Sequence, residues 1–265
     1  MRSLFKDLIL DAVDFVRGKQ EENLPPRWIR RRWAGKGDFK EIGEKFLKYL
    51  IELCRLTPES SILDIGCGAG RMAIPLTRFF NTKGRYEGID VACIPLRWCK
   101  RNIERRHPNF HFRKLDVYSG VYNPLGKRRG ADVEFPFGEE SFDVVLAASL
   151  FTHLLQQDVE NYIKEMYRVL KKGGRSLSTW FLLNEESLGL IEGGKSSLKF
   201  KAHPGSTFYK VLDIHRPEKG IAYTEKWVRE LFKKTGFVIE AIHYGSWCGR
   251  KEYLNGQDII VARKP

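Results

Sequence analysis

The sequence has no stretch able to cross a membrane. Its longest uncharged run, Val144 to Gln157, falls short of the ~18 residues a spanning helix needs. The uninterrupted apolar core of a secretory signal is also missing, because Lys6, Asp7, Asp11 and Asp14 break up the first turns. Cysteine is scarce. Cys54, Cys67, Cys93, Cys99 and Cys248 are odd in number, with neither a CxxC pair nor metal-ligand spacing. The expectation is a cytoplasmic protein with reduced thiols and no metal. Repeats and low-complexity tracts are absent. Negative charge is in deficit, 33 acidic against 46 basic residues, for a net charge of +13. That excess suits an anionic partner such as nucleic acid, a phosphorylated substrate or an acidic membrane. Its dispersal along the chain equally suits an ordinary solvated exterior.

The 265 residues, 42% hydrophobic and 30% charged, suffice for one sizeable α/β domain with an insertion or cap. Residues 3–17 fit an amphipathic helix, with Leu4, Phe5, Leu8, Ile9, Ala12, Val13 and Val16 at helical spacing. The acidic polar face of that helix argues against an anionic membrane. Lys19 to Lys36 is polar and contains Pro25-Pro26, as a linker would, with a basic approach at Arg30, Arg31 and Arg32. Residues 1–38 thus form a helix and linker or cap, and 39–265 the main domain. A helix is predicted from Phe39 to Leu56, with Asp38 as its N-cap.

Strands and helices then alternate, which implies a doubly wound, mostly parallel sheet. Strands are predicted at Ser61–Ile65, Tyr86–Ile89, Phe110–Lys114, Phe142–Ala147 and Arg175–Leu183. Helices are predicted at Arg71–Phe80, Ile94–Arg106 and Gln157–Leu170, the last ended by Gly173-Gly174, and at Glu225–Thr235 before Gly236. Val238–Tyr244 and Asp258–Arg263 follow as an antiparallel pair. Residues 184–223 break the alternation and read as an insertion of the kind that forms lids or substrate loops.

The segment Leu63-Asp64-Ile65-Gly66-Cys67-Gly68-Ala69-Gly70 follows a strand and opens a helix. Glycines there let the backbone turn tightly and approach a ligand, beside the free N–H groups of a helix start. A nicotinamide fingerprint would be GxGxxG, but Arg71 stands where its third glycine belongs. Asp64 would repel a pyrophosphate and suits an ammonium. S-adenosylmethionine (SAM) has an amino-acid end and no phosphate. Asp90 ends the second strand, where a carboxylate accepts from ribose hydroxyls, and Asp116 follows the third, within reach of an adenine amino group.

These motifs resemble those of the class I SAM-dependent methyltransferases. Leu63–Gly70 is similar to the family's first motif, Gly88-Ile89-Asp90 to its second acidic position and Leu115-Asp116-Val117 to its adenine site. Phe142-Asp143-Val144-Val145 resembles the approach to the fourth strand, and Val169–Gly174 the approach to the fifth. The resemblance spans about Phe39 to Pro265. It implies a seven-stranded sheet with an antiparallel last strand and SAM as cofactor, leaving as S-adenosylhomocysteine. By position, Asp64, Gly66 and Gly68 hold the methionine end, Asp90 and Val91 the ribose, Asp116 and Val117 the adenine. Cys67, Gly70, Ala148 and Ser149 complete the expected cofactor set.

The fourth strand ends Ala147-Ala148-Ser149-Leu150-Phe151, without the Asn/Asp-Pro-Pro-aromatic motif of base and glutamine N-methyltransferases. This form looks more like the branch acting on small molecules and lipids. The expected acceptor is a hydroxyl of a metabolite, glycan or lipid-linked sugar. The alternatives are an RNA methyltransferase, favoured by the charge, and a SAM-binding protein without turnover. His153, four residues past Ser149, is a candidate base; a buried histidine bonded to backbone is the competing reading. Trp33, Phe39, Trp247 and Gln257 are candidates for the substrate side, with Asp258 beside them and core packing the alternative for Trp247.

Overall fold

The structure is a computed structural model that describes residues 2–16, 24–35 and 37–265, without the side chains of 2–6, 14 and 15. The linker reading at Lys19 to Asn23 and at Lys36 lies outside the described residues. The chain opens with helices α1 (Arg2–Val16), α2 (Arg27–Trp33) and α3 (Phe39–Cys54). Asp38 caps α3, accepting from the Glu41 N–H at 2.7 Å. The expected linker therefore contains a helix, α2, and its cap comes from outside. Asp11 of α1 accepts from the N–H groups of Arg27 and Trp28 at 3.0 and 3.4 Å, negative charge against unpaired donors at a helix start. Buried Asp7 pairs with Arg31 at 3.0 Å. Acidic side chains assigned from the sequence to the outer face thus turn inward, while Leu8, Ile9 and Val16 are exposed.

Then come β1 (Ser61–Ile65), α4 (Ala73–Phe79), β2 (Arg85–Asp90), α5 (Cys93–Cys99), β3 (Phe110–Lys114), β4 (Phe142–Ala147), α6 (Gln156–Val169) and β5 (Leu170–Trp180). The helix expected through Arg106 ends instead in a wide π turn at Lys100–Glu104. Gly173-Gly174 does not end α6. The pair lies within β5, where the pairing with β4 slips between Phe142 and Val144.

The strand expected through Leu183 is split. Trp180 closes β5, and β6 (Leu182–Leu183) joins a second sheet. That sheet takes up the irregular insertion. After α7 (Glu185–Glu192), strands β7 (Lys201–Ala202), β8 (Tyr209–Val211) and β9 (Ile221–Thr224) assemble in the order β6-β9-β8-β7. The chain returns through α8 (Glu225–Thr235), β10 (Val238–His243) and β11 (Asp258–Arg263).

The main sheet has the order β10-β11-β5-β4-β1-β2-β3, with β11 antiparallel to both neighbours and the other pairs parallel. Period-two alternation divides its side chains between two cores. Leu63, Ile65, Val145 and Ala147 pack with α6 and α8 through Ile163, Met166, Val228 and Phe232. Ile62, Val144 and Leu146 pack with α3, α4 and α5 through Leu50, Leu76 and Leu96. From β1 the chain winds outward to β2 and β3, and β4 returns to its other side. That reversal opens a crevice at the carboxyl ends of the strands.

Candidate active site

A cavity of about 700 Å³ occupies the crevice, a size typical of small-molecule sites. The ends of β1, β2, β3 and β4 form its floor, and α2 and the start of α3 form one wall. The turn after β1 is fixed by Ile89, whose carbonyl accepts from the N–H groups of Gly66 and Cys67 at 2.8 and 3.2 Å. Gly68 has φ +51°, and a Cβ there would lie 2.9 Å from the Trp33 carbonyl oxygen. The loop needs glycine at this point because α2 closes directly over it. Arg71 donates to the Ala34 carbonyl, tying the same cap to the loop.

Asp64 is buried beneath the loop and accepts from the Tyr86 hydroxyl at 2.7 Å. Burial pushes its pKa up to about 7, with the Tyr86 bond and Arg71 opposing and Asp90 reinforcing the rise. A carboxylate so placed favours a cationic neighbour. Asp90 accepts from the Gly68 N–H at 2.8 Å and the Ala92 N–H at 2.7 Å. Burial raises its pKa against those bonds. Each carboxylate oxygen can accept a second bond.

Asp64, Gly66, Cys67, Gly68, Asp90, Val91, Val117, Ala148 and Ser149 all line the cavity, as do Trp33, His153 and Gln257. Other expected residues do not. Gly70 faces Cys99 and Ile103, where a Cβ would come within 2.8 Å of Ile103, so it serves the packing of the turn. The side chain of Asp116 is exposed, while its carbonyl accepts from the Arg128 N–H; its neighbours Leu115 and Val117 form the wall. Phe39 is buried against Ile29 and Ala69 beneath α2.

Trp247 and Asp258 belong to a separate core. The Trp247 indole packs on Phe181 and Phe200 and donates to Asp258 at 2.7 Å. Buried Asp258 also accepts from the N–H groups of Leu182 and Gly245 and pairs with Arg250. This pair bridges β11 to the second sheet rather than lining the substrate side.

At the end of β4 the backbone bends at Ser149, a non-glycine residue at φ +55°. Its N–H donates to the Thr179 hydroxyl at 2.6 Å and its own hydroxyl to Gln257 Oε1 at 2.9 Å. Thr179 donates to the same Oε1 at 2.7 Å. Both hydroxyls thus hold the Gln257 carbonyl, and its amide nitrogen is left without a partner among the described residues. His153 presents a related asymmetry. Its Nδ1 lies 2.8 Å from the Glu218 carbonyl, which can only accept, so the proton sits on Nδ1 and Nε2 is left as the basic nitrogen. Burial lowers the pKa of the ring against the pull of that carbonyl, which keeps the imidazole neutral at pH 7.

Arg32 lies in the basic stretch expected to form a cap, whereas Tyr118, Ser119, Tyr122 and Tyr162 at the cavity carry no sequence signal. Arg32 donates to the Val121 carbonyl at 3.2 Å and lies over the rings of Trp33 and Tyr122, bridging the mouth. Tyr118, Tyr122 and Ser119 come from the loop after β3, and Tyr162 from α6. Glu218 belongs to the insertion, and its carboxylate accepts from the Gly120 N–H at 3.0 Å. No local motif marks these positions; only the run Arg30–Arg32 carries a visible signal. The Trp33 indole N–H is buried, with no hydrogen-bond partner among the described residues.

A glycine turn after β1, a carboxylate at the end of β2 and a cavity at the sheet's reversal mark the candidate site on this Rossmann-like fold. Residues 63–178 match the family model of a methyltransferase domain, and the seven-stranded sheet with its antiparallel last strands has the class I methyltransferase fold. A ubiquinone biosynthesis O-methyltransferase of Hahella chejuensis is 27% identical over 258 residues, covering 95% of this chain and 93% of that protein. An uncharacterized protein of Haemophilus influenzae is 27% identical over 171 residues, or 64% of this chain. The match spans 62% of the Haemophilus protein's length. Among solved structures, the PH0226 protein of Pyrococcus horikoshii OT3 superposes with a TM-score of 0.60 at 16% identity. That match covers 89% of this chain and 96% of the other, and shows a shared fold.

Proposed function

We propose that the protein transfers the methyl group of SAM to a hydroxyl of a small or lipid-linked acceptor. The observation that carries this reading is His153, whose Nδ1–H is held by the Glu218 carbonyl while its neutral Nε2 is left at the cavity wall. An oxygen nucleophile needs its proton removed as it attacks, and a neutral imidazole within reach is suited to accept it. SAM supplies an already activated methyl group. The chain's part is therefore to align the two reactants, exclude water and hold the proton acceptor in place.

The residues present fit this cofactor. Asp64 would take the ammonium, Asp90 and Val91 the ribose, and Val117 the adenine, all of them at the cavity wall. The carboxylate of the methionine end needs a donor, and the buried Trp33 N–H, without a partner among the described residues, is one. Its neighbour Arg32 adds positive charge to the same wall. The Gln257 amide is the remaining donor for the acceptor molecule. The relative named as a ubiquinone biosynthesis O-methyltransferase supports an oxygen acceptor.

The test combines calorimetry with S-adenosylhomocysteine and a screen of hydroxylated metabolite, glycan and lipid pools with methyl-labelled SAM. The expected result is cofactor binding and label in an O-methyl product. Tight nicotinamide dinucleotide binding without binding of S-adenosylhomocysteine would overturn the cofactor reading. Label appearing only in RNA would overturn the acceptor reading.

A further inference from the structure

The mouth of the cavity carries a surface that methyl transfer does not explain. After β3 the chain forms a loop closed on itself. Val117 bridges to Arg128, and the Asn123 side chain donates to the Val117 carbonyl at 2.8 Å. Gly126 sits so close to Val117 that a Cβ would lie 2.3 Å from its carbonyl carbon. The cavity side of this loop is Tyr118, Ser119 and Tyr122, with Tyr118 half-exposed at the mouth. On the loop's surface, Leu125 is 88% exposed. Lys127 and Arg128 follow, both exposed, with no side-chain partner among the described residues; Arg129 is held by Asp132.

Arg32 links this loop to α2 through the Val121 carbonyl, and α2 carries α1 through Asp7 and Asp11. On α1, Leu8, Ile9, Ala12 and Val16 are all exposed. At 3.6 residues per turn they fall within an arc of about 100°. A helix that docks by its acidic side and shows its aliphatic side outward reverses the usual arrangement of a surface helix.

We propose that this rim docks on an anionic lipid bilayer, with the cavity mouth beside the membrane so that a lipid-borne acceptor enters without crossing water. The proposal rests on the small-molecule reading above and narrows it to membrane-resident acceptors. Exposed aliphatic groups beside uncompensated basic ones match the interface of an acidic bilayer, where apolar insertion and electrostatic attraction add. Turning Asp7 and Asp11 inward removes the carboxylates that would oppose it. An RNA backbone would attract Lys127 and Arg128 but would not reward a leucine at the tip.

The test is co-sedimentation with vesicles of phosphatidylcholine alone and with about 30% phosphatidylglycerol added, a surface that attracts basic groups. Binding is expected to the anionic vesicles. Lys127→Ala/Arg128→Ala should weaken it about 30-fold, near fivefold per charge. Leu125→Glu and Leu8→Glu/Ile9→Glu should each weaken it by about tenfold or more. All variants should keep the wild-type melting temperature and affinity for S-adenosylhomocysteine. Absence of binding to anionic vesicles, binding indifferent to these substitutions, or salt-sensitive RNA binding unaffected by Leu125→Glu would overturn the proposal. Failure of the wild type to bind S-adenosylhomocysteine would instead remove the cofactor reading, whatever the vesicles show.

Discussion

Replacing Trp33 by phenylalanine separates binding from folding at one atom. The ring remains, and only the indole N–H and part of its area are lost. The N–H is buried at the cavity wall without a partner among the described residues, a cost of roughly 1–3 kcal/mol to the cofactor-free protein. Removing it offsets the lost contacts of the larger ring, so the free protein should change in stability by less than about 1 kcal/mol, or within roughly 4 °C in melting temperature. A hydrogen bond to a charged acceptor contributes about 1.5–3 kcal/mol. With the lower figure, the affinity for S-adenosylhomocysteine should fall about tenfold.

The assay is calorimetry with S-adenosylhomocysteine and with S-adenosyl-3-thiopropylamine, which keeps the amine and lacks the carboxylate. If Trp33 meets the carboxylate, the substitution weakens only the first ligand. Equal weakening of both, or no weakening of either, would refute this reasoning.

Asp90→Ala removes the proposed ribose partner and also the acceptor for the Gly68 and Ala92 N–H groups. Binding of S-adenosylhomocysteine should weaken by ~1–3 kcal/mol, with a smaller loss of melting temperature; unchanged affinity would mark Asp90 as a turn residue alone. His153→Ala should slow methyl transfer by roughly 10²–10⁴-fold with cofactor affinity nearly constant, so full activity would exclude the base. Asp64 has its pKa raised to about 7, so a ligand ammonium should bind about tenfold more tightly at pH 8 than at pH 6, as the carboxylate ionises. A raised folded pKa also means the free folded protein holds a proton the unfolded chain releases, so this contribution to stability is lost as pH rises from about 4 through 7. Titration of Asp64→Asn by calorimetry and thermal melts should flatten both dependences, and slopes equal to wild type would assign them to other groups.

Local pattern determined much of this protein. Leu63–Gly70 needs its glycines wherever the chain folds, because the turn places Gly66, Gly68 and Gly70 at positive φ. Alternating apolar residues in β1 and β4 assign themselves to two faces, and the cap at Asp38 is written in four consecutive residues. These features depend on neighbours a few positions apart, so they are visible in one dimension.

Tertiary structure decided the rest, because it joins residues far apart in sequence. Nothing near Trp247 tells that its N–H meets Asp258, and nothing near Gln257 tells that Ser149 and Thr179 hold its carbonyl. The tautomer of His153 is set by Glu218, 65 residues away. The same physics reversed α1. Its spacing announces an amphipathic helix, but which side turns inward depends on what it meets, and here Asp7 and Asp11 meet Arg31 and the open start of α2. Buried carboxylates require such partners, and only the folded chain supplies them.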